Sequence, residues 1–119
     1  MSPQRVRVQG DLFHGRIPDG AVYVGRAAPG LPRSPYANPF AVGRPVPAEY
    51  GGYVVIDAVD AVALYRVWMR RHPELVDAAR RELAGWDLAC WCSLEDRRFT
   101  GPAPCHVDVL IDIANGEAP

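Results

Sequence analysis

The chain has 119 residues, 49% of them hydrophobic, and a formal net charge of −1 at pH 7, enough for one core without disulfides and without the basic excess of a nucleic-acid-binding domain. All thirteen basic residues are arginine, which excludes Schiff-base chemistry and a Walker-type phosphate loop and leaves guanidinium forks or backbone N–H groups to hold any anion. No apolar run approaches the roughly 18 residues that span a bilayer, and the segment from Met1 to Val8 lacks the apolar stretch of a signal peptide, so a cytoplasmic protein with no membrane partner is expected.

Residues 4–9 alternate around Arg5, Val6, Arg7 and Val8, which suits a half-exposed strand at a sheet edge. Residues 11–20 carry Gly15, Pro18 and Gly20 and read as a loop. Ala21 to Val24 is a compact apolar run ending at Gly25 and Arg26, and its near-continuous apolarity predicts a central parallel strand. Residues 26–47 are irregular, with prolines at 29, 32, 35, 39, 45 and 47, and a loop of this length in a compact domain points to function or disorder. Its Tyr36-Ala-Asn-Pro-Phe40 segment offers groups that could stack on and hydrogen-bond a planar ligand, while Arg26, Arg33 and Arg44 supply positive charge.

Gly51 and Gly52 mark a turn, and Asp57 reads as the N-cap of a helix whose apolar stripe (Ala58, Ala61, Tyr65, Trp68, His72, with Val62 and Met69) runs to about residue 72. The stripe reads as core, and His72 as a helix-terminal residue balancing the dipole. Pro73 stops that helix and opens a second, with Leu75, Val76, Ala79 and Leu83 as its apolar face and Gly85 at its end. Asp87 to Trp91 predicts a buried strand, and Pro104 opens a final helix closed by Asn115 and Gly116. Asp108 and Asp112 read as its solvated face, and Glu95, Asp96, Arg97 and Arg98 as a charged surface loop. The order strand, long loop, two helices, strand, helix predicts a single small α/β domain over residues 1–119, its sheet mostly parallel and flanked by helices.

All three cysteines and His106 fall in the last third of the chain. An odd number of cysteines, two of them one residue apart, points to reduced thiols or metal ligands rather than a disulfide framework. In an open α/β sheet, ligands bind outside the carboxyl ends of strands, where a following helix presents unpaired N–H groups. Cys105, in the first turn of the last helix, is expected to be a thiolate stabilised by the dipole, with His106 as its acid/base partner. The competing reading is a zinc site from Cys90, Cys92, Cys105 and His106, against which C-x-C and an adjacent Cys-His pair are unusual spacings. Cys90 alone reads as a small core residue.

Five segments carry a family resemblance: Val22-Tyr-Val-Gly-Arg26, Tyr36-Ala-Asn-Pro-Phe40, Ala63-Leu-Tyr-Arg66, Asp87-Leu-Ala-Cys-Trp-Cys92 and Pro104-Cys-His-Val-Asp-Val-Leu110. On these the chain resembles a family of small bacterial and phage proteins known as domain of unknown function 4326. The resemblance implies no activity; it places Gly25, Arg26, Asn38, Pro39, Phe40, Cys90, Cys92, Cys105 and His106 in signature segments. The twelve residues between Cys92 and Cys105 exceed the family's usual link and could form a flap over a substrate. The functional expectation is an enzyme, a hydrolase or transferase acting for example at an N-glycosidic bond, that uses Cys105 and His106 as nucleophile and acid/base. It would bind a nucleotide-like or other phosphorylated planar anion through Gly25, Arg26, Arg33, Tyr36, Asn38, Phe40 and Cys92, with no cofactor. The alternative is a non-catalytic binding module stabilised by zinc on the Cys/His cluster. Oligomeric state is not legible in the sequence.

Overall fold

The computed structural model describes residues 4–10, 15–92 and 104–119. Its regular elements are β1 (Arg5–Arg7), β2 (Ala21–Tyr23), a single 3-10 turn (Ala48–Tyr50), α1 (Ala58–Arg70), α2 (Pro73–Glu82), β3 (Asp87–Cys90) and α3 (His106–Ala114). The three strands form a sheet in the order β1-β3-β2, with both pairings parallel. This is the expected α/β class. Parallel neighbours require long crossovers, and α1 with α2 supplies the one between β2 and β3.

One strand assignment is corrected. β3 is central, and Leu88, Ala89 and Cys90 are all buried, whereas β2 lies at an edge with every residue half-buried. The apolarity of Ala21–Tyr23 has another cause: Val22 packs on the core, and Leu31, Pro32 and Tyr36 of the proline-rich loop lie alongside Val22 and Tyr23. A covering loop leaves the same hydrophobic signature as a flanking strand.

The helices start and stop where local chemistry dictates. The Asp57 carboxylate accepts from the Asp60 N–H at 2.8 Å, capping α1, whose buried face is Ala61, Leu64, Tyr65 and Met69. α1 ends at Arg70, two residues earlier than its apolar stripe suggests, because Pro73 keeps His72 out of the helical region (φ −128°, ψ 67°). His72 instead places Nδ1 2.6 Å from the Trp68 carbonyl at the end of α1, and Pro73 takes the first position of α2. At the far end of α3, Gly116 adopts φ +93° and its N–H bonds the Ile113 carbonyl. Asp108 and Asp112 face outward and pair with Arg5 (3.4 Å) and Arg66 (3.2 Å).

The core lies between the sheet and the helices, built from Val24, Tyr65, Met69, Val76, Ala79, Leu83, Leu88, Val107, Val109, Leu110 and Ile113, with Cys90 and Cys105 inside it. A smaller cluster of Phe40, Val46, Val55, Ala61 and Leu64 seats the long loop on α1. Among the described residues, no helix is long and apolar enough to cross a membrane. The charged segment Glu95, Asp96, Arg97 and Arg98, and with it most of the expected flap, lies outside the described residues.

Candidate functional site

β3 ends at Cys90 and the chain bends through Trp91 and Cys92 at the carboxyl edge of the sheet. The first turn of α3 returns to the same edge, and Val24-Gly-Arg26 leaves β2 beside it. A cavity of about 400 Å³ opens here, bordered by Gly25 and Arg26 after β2, by Asn38, Phe40, Ala41 and Val42 of the loop, and by Ala58, Ala61 and Val62 of α1. Its remaining wall is Cys90, Trp91, Cys92, Pro104, Cys105 and His106.

The loop wall is braced rather than poised. Arg26, exposed at the rim, donates from Nε to the Asn38 carbonyl (3.1 Å) and from Nη2 to the Phe40 carbonyl (2.8 Å). Asn38 is buried; its Nδ2 donates to the Ala61 carbonyl (3.1 Å) and its Oδ1 accepts from the Phe40 N–H (2.9 Å). The Phe40 ring is buried edge-on against Tyr50, with centroids 5.1 Å apart. Asn38 and Phe40 therefore shape the cavity, with their own bonding and stacking capacity already committed within the fold. Gly25 is required by close approach: a Cβ there would stand 2.6 Å from the Tyr23 hydroxyl, which donates to the Arg26 carbonyl.

Tyr36 and Arg33 do not join this group. They border a second cavity with Ile17, Val22, Leu31 and Glu82. The Tyr36 ring is buried in the core, its hydroxyl donates to the Glu82 carboxylate, and its backbone carbonyl accepts from the Tyr65 hydroxyl at 2.7 Å. Tyr36 is thus a core anchor of the loop, and the expectation that it stacks on a ligand beside Cys105 is corrected.

At the other wall, the three sulfurs lie within 4.8 Å of one another, with Cys90 and Cys105 buried and 3.3 Å apart and Cys92 half-buried. Cys105 is the N-cap of α3, with extended backbone (φ −148°, ψ 147°), one residue before the first turn in which the sequence placed it. Its side chain caps nothing and turns into the sulfur cluster, where it faces Cys90. Hydrogen bonds to Cys90 and Cys92, then burial, push its pKa far above the ordinary thiol range. Cys92 behaves oppositely. Hydrogen bonds from Cys105 and Cys90, with His106 and Arg5 nearby, hold its pKa well below that range, burial opposing. Cys90 has its pKa lowered by its bond to Cys105, but the bond to Cys92 and burial outweigh this and leave it up at about 11. Of the three thiols Cys92 is the one whose pKa is lowered, and the expected Cys105 thiolate is corrected, because its sulfur is buried against Cys90 and not presented to the helix N–H groups.

His106 is also buried. Its Nε2 lies 2.7 Å from the Val24 carbonyl, and since a carbonyl only accepts, Nε2 carries the proton. Nδ1 is left as an acceptor 3.6 Å from the Cys105 sulfur. The ring stands edge-on to Tyr65 (5.2 Å, 74°), and burial lowers its pKa. The sequence reading missed two residues that set this geometry. Tyr65 ties α1 to the loop and packs on His106; its place in the Ala63-Leu-Tyr-Arg66 segment was the available signal. The Val24 carbonyl, which fixes the imidazole, gives no signal in a side-chain sequence.

Fold and site together define a small parallel α/β protein with a thiol and histidine cluster where the central strand's end meets the last helix. The family described as Domain of unknown function (DUF4326) matches residues 11–116, and the chain belongs to it. No curated protein and no solved structure matches the chain.

Proposed function

We propose that this protein is an enzyme that binds a small anionic ligand in the cavity and performs hydrolysis or group transfer at its sulfur-lined floor. The observation that carries this reading is the convergence on one cavity of Gly25, Arg26, Asn38, Phe40, Cys92, Cys105 and His106, from four separate segments. Its volume of about 400 Å³ suits a small ligand, and its wall is apolar apart from a few polar groups, as binding sites are. Phe40, Ala41, Val42, Ala61 and Val62 favour an apolar body, and Arg26 at the rim favours an anionic end. A nucleotide-like or other phosphorylated planar molecule combines both, with an N-glycosidic bond as one example of the bond attacked.

A thermal-shift screen over nucleotides and sugar phosphates tests this, because a ligand that binds only the folded state raises Tm with concentration. The expected result is a saturable rise that Arg26→Ala weakens and that is accompanied by turnover of the ligand. No rise with any member of the panel defeats the reading. A second reading, a non-catalytic binding module stabilised by zinc, is favoured by the three converging sulfurs. Stoichiometric zinc in a protein that binds none of the panel would select it.

A further inference from the structure

The three sulfurs come from places that fix them independently: the end of β3, the bend after it, and the N-cap of α3. Cys90 ends β3 and Cys92 follows two residues on in the bend, which returns its sulfur to the side of Cys90 where Cys105 meets both. A zinc ion bound through bonds of about 2.3 Å in a tetrahedron needs sulfurs about 3.8 Å apart. The observed triangle brackets that spacing, with one edge at 3.3 Å and none above 4.8 Å.

We propose that Cys90, Cys92 and Cys105 together hold one thiophilic divalent ion, zinc, whose fourth coordination position opens on the cavity. Metal binding displaces the S–H protons of the cluster, so that all three sulfurs ligate as thiolates. Three thiolates and a dication carry net charge −1. Among the described residues, these three sulfurs are the one group of three or more His, Cys, Asp or Glu donor atoms that lie mutually within 4.8 Å. His106 Nδ1 lies 3.6 Å from the Cys105 sulfur but does not join the group of donor atoms that are all within 4.8 Å of one another, so the imidazole stands beside the ion rather than completing its shell. Three protein ligands with a free position is the arrangement of zinc sites that take water or substrate. The open position deepens the ligand reading of the cavity and rests on it; the three-sulfur site does not.

The experiment uses the full chain, loaded with zinc, then stripped with a chelator and refilled with cobalt(II). The expected results are one zinc per chain, protection of all three thiols from alkylation until the chelator is added, and thiolate-to-cobalt charge transfer in the near ultraviolet. Thiocyanate should then shift the cobalt d–d bands, since it can enter an open position. Free alkylation of folded, zinc-treated protein, or absence of the charge-transfer band, overturns the site without touching the ligand screen, which is run on stripped protein. Bands indifferent to thiocyanate but altered in His106→Gln overturn the open position, because the imidazole then fills it. Protection and cobalt spectra of the unmodified chain need no cysteine variant, so a misfolded Cys105→Ser does not blunt the test.

Discussion

Single side chains decide whether the cavity wall exists. Asn38 is buried and bridges two backbone groups, the Ala61 carbonyl on α1 and the Phe40 N–H in the loop. Asn38→Ala leaves the Phe40 N–H without its partner, while the Ala61 carbonyl keeps its helical bond within α1, and a buried unsatisfied group costs about 1–3 kcal/mol. A loss of about 1–3 kcal/mol is expected in urea denaturation. A loss below about 0.5 kcal/mol, the scatter of ordinary surface changes, would show that the loop is not seated as described. The cysteines give a second test at this scale. In chelator-stripped protein the lowered pKa of Cys92 should keep its alkylation rate nearly flat from pH 6 to pH 8, where an ordinary thiol accelerates about tenfold per unit. Peptide mapping should find Cys92 modified before Cys90 or Cys105. Modification of Cys105 first would restore the arrangement that the sequence suggested and the structure does not have.

At the scale of elements, what could be read in advance was what depends on neighbours in the chain. Asp57, Pro73 and the Asn115-Gly116 pair set helix ends through bonds within one turn, and each lies at or beside the boundary it marks. Strand order was not legible, because β2 and β3 are joined only through sixty-odd residues of loop and helix and nothing in Ala21–Tyr23 says which neighbour covers it. The site was half legible for the same reason: Cys90, Cys92, Cys105 and His106 do come together, while Tyr36 and Arg33 share a loop with Asn38 yet face elsewhere. A shift of one residue in the start of α3 turned Cys105 from the dipole to the core. The prediction at this scale concerns α1, whose first turns form a cavity wall through Ala58, Ala61 and Val62. Asp57→Ala removes the side-chain bond to the Asp60 N–H and should cost about 1 kcal/mol, recovered in Asp57→Ser. Equal stability of the Ala and Ser variants would mean that the cap is not formed in solution.

Across the whole molecule, two hydroxyls, one partly and one fully buried, join the loop to both neighbouring helices: Tyr36 to Glu82 of α2, and Tyr65 of α1 to the Tyr36 carbonyl. Burial raises the pKa of both, reinforced by Glu82 at Tyr36 and by Cys105 at Tyr65. In the unfolded chain a tyrosine ionises near pH 10. Above that pH the unfolded state has released protons that the folded state still holds, so stability falls as pH rises, by about 1.4 kcal/mol per unit for each such tyrosine. The thiols also titrate in this range, with Cys90 and Cys105 raised and Cys92 lowered, so the alkaline limb of the wild type alone is a mixture. The difference between wild type and Tyr36→Phe removes them, since the substitution keeps the ring in the core and leaves the sulfur cluster intact. From urea midpoints between pH 8 and pH 11, the difference should be nearly constant below about pH 9.5 and by pH 11 should have moved in the variant's favour by at most about 1.4 kcal/mol. Tyr65→Phe should behave alike, with a larger constant offset because a buried carbonyl loses its donor. Parallel curves for the wild type and both variants through pH 11 would mean that these hydroxyls ionise as readily folded as unfolded, and that the loop forming one wall of the cavity is not held to the helices in the way the structure requires.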